Sequence, residues 1–540
     1  DNVSLTHGNH TLSFGADFNY VRTTESFPLF FPFEATFATI PDLLAGNPFV
    51  IFFQKFDFAA TSLDPSIYLG TRFSDAVRNQ AKGRINHTYN GFYAQDRWRP
   101  NNRLSLNLGV RYDFETFPSK ALDSDLNNVD PRFGFAYNVG TKKNLVIRGG
   151  AGLFHGIIPT PLLMCQEAAC GGSGPFPGRE QKEDDLNART RLFAFASAPA
   201  VMQGALADIL ATGAYPNPAF GFLGESVIVR FARNHQAPYG AQMSLGFELE
   251  PWADTQFSAS YLHVRGVHLS SFFNVNQPDP SGVLESGKAD FAALRPVPCC
   301  GFLHRLISVP NFRNPNFAVY FEADSRWNST FDGLLINVNK RERHHFAYGI
   351  SYTFSKTIDD GPNPSFVLIP ENSQRIDLER ALSSDHAAHR FVANATISGP
   401  TNKNPLVNDF RFGLIVTLES PHYFTKFAGF DANGDVFGAN DRVGLDARNT
   451  FKGDSFRSVD LRLSRTIRLS EKVKAELIAE SFNALNTLNI RFFNTAYGDS
   501  IFNPTGTPGT FFDGARNPFY GTPRAVFNPR QIQLAARITF

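Results

Sequence analysis

Apolar and polar residues alternate one by one along most of the chain. In Thr11–Val21, Leu12, Phe14, Ala16, Phe18 and Tyr20 fall on one face, and Ser13, Gly15, Asp17 and Asn19 on the other. In Arg103–Asp113, Leu104, Leu106, Leu108, Val110 and Tyr112 oppose Arg103, Ser105, Asn107, Gly109, Arg111 and Asp113. Ser458–Arg468 and Gln531–Phe540 repeat the pattern. A period of two is the signature of β-strand, because successive side chains point to opposite faces. The alternation predicts about fourteen strands, near 10–23, 86–99, 102–114, 130–140, 143–155, 226–249, 255–266, 329–341, 345–356, 388–399, 408–420, 456–468, 472–485 and 530–540, with residues 1–6 as the tail of one more.

The connections alternate as well. Short ones fall at 100–102, 141–143, 251–254, 341–344, 400–405 and 470–471. Long ones fall near 24–85, 115–129, 156–225, 267–328, 357–387, 421–455 and 486–529. Tight turns on one side and long loops on the other are the plan of an outer-membrane barrel, with the turns periplasmic and the loops extracellular. A soluble antiparallel sheet with one solvated face leaves this asymmetry unexplained. The expected fold is therefore all-β, a transmembrane antiparallel β-barrel running through residues 1–540 as one unit.

Composition sharpens this picture. Of 540 residues, 56 are Phe, which suits a wall facing lipid with aromatic girdles at both interfaces. No stretch of about 18 apolar residues is present, so a membrane-crossing helix is not expected. Lys plus Arg is 51 and Asp plus Glu is 50. That balance provides no basis for a nucleic-acid partner. No signal sequence opens the chain at Asp1, so a mature or truncated product is expected. Cys165, Cys170, Cys299 and Cys300 fall in expected long loops, where an oxidising compartment allows three disulfide pairings or free thiols.

The strand text resembles a known family. FYAQDRW (92–98) with LSLNLGVRYD (104–113), DPRFGFAY (130–137) with VIRGGAGLFHG (146–156), and residues 244–269 with NVNQPDP (274–280) carry the likeness. It continues in SYTFSKTIDDG (351–361), Ser458–Ser464, AELIAESFNALN (475–486) and PRQIQLAARITF (529–540). Together they are similar to the barrel of the Oar-like branch of TonB-dependent receptors. The resemblance implies a barrel of roughly 22 strands closed by an N-terminal plug. It implies active uptake of an extracellular ligand, coupling through the plug to the TonB energy complex, and outer-membrane lipid around the wall. No plug text precedes the strands, so a C-terminal portion lacking the plug and about eight strands is expected. A passive porin-like channel and a surface adhesion barrel are the rival functions.

Candidate chemistry is sparse. Asp431, Asn433 and Asp435, with Asp441 further on, resemble the opening of a calcium loop. Val436 and Arg442 then stand where an EF-hand needs Gly and Glu, which leaves a polar turn as the plainer reading. His386 with His389, and His344 with His345, lack a third ligand placed by sequence. Asp359-Asp360-Gly361 reads as a strand end and turn, and Leu192–Ala211 as a short helix inside a loop. Arg103, Arg111, Arg148 and Arg462 are expected to point inward and to seek partners on a plug or in water. No nucleophile elbow, phosphate loop or paired-carboxylate motif stands out, so enzymatic activity is not expected.

Overall fold

A computed structural model describes residues 1–26, 82–117, 122–140, 144–158, 234–284, 319–361, 369–399, 408–428, 440–470, 473–497 and 519–540, with shorter pieces between them. The wall is a meander of antiparallel strands: β1 (Asn2–His7), β2 (His10–Ser26), β3 (Lys82–Asn101), β4 (Leu104–Thr116) and β5 (Asn128–Asn138). It continues through β6 (Val146–His155), β7 (Tyr239–Trp252), β8 (Thr255–Asn274), β9 (Val319–Arg343) and β10 (Phe346–Asp359). It ends with β11 (His389–Ser398), β12 (Phe410–Glu419), β13 (Phe456–Arg468), β14 (Lys474–Phe482) and β15 (Gln531–Thr539). Each strand pairs with its sequence neighbours. Among the described residues no register joins β1 to β15, so the sheet is not closed into a ring.

The tight turns gather at one end, and their backbone explains them. His344 and His345 join β9 to β10 with φ of 51° and 67°. Two consecutive left-handed residues make the turn whose twist matches a hairpin. Gly8, Asn144, Asp254 and Asp409 take positive φ at the other tight turns. The histidine pair thus does turn work at an exposed hairpin tip. At the opposite end the strands open into long connections, and β8 and β9 run on past their neighbours.

One predicted strand is corrected. Residues 226–249 are not continuous: Val227–Phe231 pairs in parallel with the start of β9, and β7 begins only at Tyr239. Alternation on both sides of Ala232–Pro238 hid the break, which a backbone turn makes when the His235 amide donates to the Ala232 carbonyl. The expected helix over Leu192–Ala211 is corrected at its start, because Thr190–Phe195 is a strand paired with Val50–Phe56. Gln203, Gly204, Leu206 and Ala207 are helical. Cys165, Cys170 and Cys300 lie outside the described residues, and Cys299 ends the strand Leu294–Cys299.

The register assigns the faces. Met243, Leu245 and Phe247 of β7 lie opposite His263, Tyr261 and Ala259 of β8, and Tyr261 lies opposite Leu334 of β9. This outward face is exposed in its large apolar residues, Leu245 at 58% and Phe354 at 51%. Trp98, Tyr137 and Phe346 ring its tight-turn end. Large apolar side chains on the outside are stable there only when lipid covers them. Among the described residues no helix is long and apolar enough to cross a membrane. The strands do the crossing, because pairing satisfies every backbone group except those at the edges.

Candidate functional site: inner wall and loop crown

The inward face carries charge, but the charge is paired. Arg111 reaches Asp17 of β2 at 3.1 Å and Asp113 at 2.8 Å, and the Tyr89 hydroxyl donates to Asp113 at 3.0 Å. Gly91 lies beside this pair, and a Cβ there would collide with the Arg111 guanidinium and the Asp113 carboxylate. Arg148 pairs with Glu248 of β7, and Arg462 bridges Glu480 at 3.0 Å and Glu476 at 3.5 Å. The arginines expected to seek partners on a plug therefore find carboxylates on neighbouring strands. Arg103 differs: it sits in the exposed turn between β3 and β4, with its guanidinium against Gly140. Diagonal neighbours on one sheet face lie about 7–8 Å apart, close enough for long side chains to meet.

At the loop end the logic reverses. Phe272 and Phe273 at the end of β8 are buried with Phe321, Ala323 and Trp327 of β9. The Phe273 and Trp327 rings meet edge to face at 5.5 Å, and the Arg326 guanidinium lies 3.8 Å above the Phe273 ring. Gly361 packs so closely on Trp327 that no side chain fits there. Above this small core, three long connections are tied by a buried polar clasp. Arg442 donates to both Glu379 oxygens at 2.8 and 2.7 Å, and reaches Glu371 at 3.0 Å. Arg448 donates to the Glu379 carbonyl at 2.7 Å and pairs with Asp359 at the end of β10. Gln277 donates to Asp435 at 2.7 Å and accepts from the Ser373 amide at 2.8 Å. The Asn449 side chain donates to the Leu382 carbonyl at 2.7 Å. The clasp binds residues 274–277, 369–382 and 440–449, with Asn433 and Asp435, into one body. Beside it opens a cleft of about 320 Å³ lined by Val275 and by the polar side chains of Asn274, Gln277, Arg313, Arg326, Ser373 and Gln374.

Three of the four expected calcium residues fall in this body. Asn433, Asp435 and Asp441 are buried, and Asp431 lies outside the described residues. Asn433 donates to the Glu371 carbonyl at 3.3 Å, and Asp441 accepts from the Ala432 amide at 2.6 Å. Among the described residues no group of three or more His, Cys, Asp or Glu side chains could hold a metal. His386 and His389 diverge. His386 is buried and accepts from the Thr357 amide at 3.2 Å, whereas His389 faces outward against Phe354. Asp359 and Asp360, read as a turn, are clasp members, since Asp360 holds the Asn328 amide at 2.9 Å and Arg380 at 2.7 Å. Glu371, Glu379 and Arg448 carry no sequence signal, and Arg442 stands out only as the break in the calcium pattern, because aperiodic loop text has no period to read.

A second buried group stabilises the other side of the crown. His235 shares a 2.9 Å hydrogen bond with the Ser270 hydroxyl, and its ring packs edge to face on Phe231 at 5.0 Å. The neighbouring Ala237 amide donates to Asp125 at 2.8 Å. Burial lowers the His235 pKa to about 4, against the opposing pull of Asp324 and Asp125.

These features place the chain among outer-membrane barrels. The sequence matches the outer membrane β-barrel domain family over residues 1–123 and 117–443, and the chain belongs to that family. Its location is the outer membrane of a Gram-negative bacterium. No curated protein matches it. Among solved structures it is similar to the outer membrane transporter YddB from Escherichia coli, at 12% identity and a TM-score of 0.50, covering 99% of this chain and 52% of that one. The ferric enterobactin receptor of Pseudomonas aeruginosa is matched at 12% identity and a TM-score of 0.49, over 100% and 53%. The FrpB iron transporter of Neisseria meningitidis is matched at 12% and 0.44, over 92% and 52%. The chain thus spans about half the length of these solved structures.

Proposed function

We propose that the protein is a TonB-dependent receptor of the Oar-like branch, serving active uptake of an extracellular ligand. The observation that carries this reading is the clasped crown. It frames a cleft that carries amide and guanidinium groups at the loop end of a wall whose inner face is polar and internally paired. A ligand captured there meets amide and guanidinium groups, then a hydrophilic passage. The rest of the family barrel, of roughly 22 strands, and a plug within it would complete the passage, and the TonB energy complex would couple through that plug. The resemblance of residues 92–98, 104–113, 130–137, 146–156, 244–269, 274–280, 351–361, 458–464, 475–486 and 529–540 to that branch supports the assignment.

The test is uptake by cells carrying the full-length gene, with and without a working TonB. Uptake of the captured ligand is expected to disappear without TonB or when the proton gradient is collapsed. Equal uptake in both strains would point to a passive channel, and surface binding with no uptake in either to an adhesion barrel. Calcium is a further part of the reading. A cation near Asp431, Asn433, Asp435 and Asp441 would order the loop and do no chemistry. Calorimetry that shows no heat at millimolar calcium, the range of weak extracellular sites, would retire it.

A further inference from the structure

The outward face changes character at one height. On β8 the outward residues after the tight turn are Phe257, Ala259 and Tyr261, followed by His263 and Arg265. On β9 they are Val338, Ile336 and Leu334, followed by Asp332. On β10 they are Ile350, Tyr352 and Phe354, followed by Lys356. Counted from Thr255, His263 is the ninth residue of its strand and Arg265 the eleventh. Through Asp332 the register sets Lys356 level with His263. A strand crosses the hydrocarbon in about 9–11 residues. The polar group therefore stands where the outer leaflet's headgroups begin, with Tyr261, Tyr352 and Phe354 as the aromatic girdle beneath it. Inward positions at this height are mixed: Leu262, Val264 and Phe331 stand opposite Ser244, Gln242 and Thr357.

Register places these side chains together. His263 lies opposite Asp332, and Asp332 opposite Lys356. Two strand spacings of about 4.8 Å separate the His263 and Lys356 backbones, and Arg265 stands one outward position further along β8, opposite Thr330, an offset that long Arg and Lys side chains can span from either side. The Asp332 carboxylate is already engaged by the Tyr261 hydroxyl at 2.5 Å and the His263 ring at 2.8 Å. Arg265 and Lys356 are exposed, and Lys356 faces the Asp332 carboxylate across one strand spacing. His389, at 2.8 Å from the Tyr352 hydroxyl, extends the polar row onto β11.

We infer that Arg265 and Lys356, supported by His263, form a binding site for a phosphorylated glycolipid headgroup of the outer leaflet. Both cations sit above an apolar band that seats acyl chains, and a guanidinium with a neighbouring ammonium suits a phosphate. The site faces lipid, so it is separate from the crown cleft and does not depend on the transport reading.

The probe is lipid A, in its bisphosphorylated and fully dephosphorylated forms, with the full-length protein purified from outer membranes. Bisphosphorylated lipid A is expected to co-purify and, after delipidation, to rebind about tenfold more tightly than the dephosphorylated form. Arg265→Ala with Lys356→Ala should lower retention about tenfold, whereas Arg265→Lys with Lys356→Arg should keep most of it. Arg411→Ala, an exposed cation on the inner face, should change nothing. Equal retention by the double alanine variant, equal rebinding of the two lipid forms, or displacement by millimolar inorganic phosphate would each overturn the site. The two-lipid comparison uses the unaltered protein, so a folding failure of the variant leaves the test intact.

Discussion

The wall and the crown are built from the same strands and obey opposite rules. Along the wall, Leu245, Leu334 and Phe354 face outward and stay exposed, while the inner face is charged. Once β8 and β9 pass beyond the bilayer, Phe272, Phe273 and Trp327 turn into a buried core and the polar residues close over it as a clasp. The solvent decides which rule holds. Lipid accepts apolar surface without cost, and water does not. The ion pairs differ for the same reason. Arg462 is 45% exposed beside Glu476 and Glu480, whereas the Arg442 side chain is 7% exposed between Glu371 and Glu379. A hydrated pair contributes little, and a buried one leaves a stranded charge when broken.

The largest effect expected from this contrast is at the clasp. Arg442→Ala removes the guanidinium from Glu371 and leaves buried Glu379 with Arg448 alone, and should destabilise the crown by about 3 kcal/mol. Proteolysis and hydrogen exchange should open residues 369–382, while heat-modifiable migration of the wall stays as it was. Loss of both together would show that wall and crown are one cooperative unit.

Leu245→Arg tests the other rule. A charge on the lipid face near mid-membrane costs about 2–4 kcal/mol, and its signature should be poor insertion with little change in ligand capture once folded. Normal surface yield would mean that Leu245 does not face lipid.

The third prediction concerns pH. His235 is held neutral by burial, with a folded pKa of about 4. Its unfolded pKa is near 6.5, so the folded state binds fewer protons between these values. The stability associated with neutral His235 is complete above about pH 6.5 and is lost as pH falls toward 4, by at most about 3 kcal/mol. His235→Gln should flatten this dependence in crown melting curves. An unchanged slope would assign the acid sensitivity to other groups.

The smallest effect belongs to the inner face. Arg462→Ala should cost less than about 1 kcal/mol, because both ion pairs are solvated. A cost several times larger would mean that Arg462 is covered in the assembled receptor, as a plug filling the lumen would do.

The wall was legible from sequence because its two solvents write a period of two. Gln531–Thr539 could be placed from Ile532, Leu534, Ala536 and Ile538 alone. The hairpin at His344-His345 was located but its histidines were weighed as metal ligands, since positive φ is not written in residue type outside Gly and Asn. The break between Val227–Phe231 and β7 was hidden by alternation that continues on both sides of it.

By itself, the sequence determined the strand period, the order of tight turns and long loops, and hence a membrane-spanning β wall. Those properties are local: each residue's partition between lipid and water is set by its own side chain and its parity in the strand. Only the tertiary structure decided that Glu371 and Glu379 meet Arg442, that Gln277 meets Asp435, and that Lys356, Asp332 and His263 share one outward height. These contacts join residues from different loops or strands. Their partners are set by inter-strand register and by the burial that makes an unpaired charge costly, and neither is encoded in the neighbours of a residue along the chain.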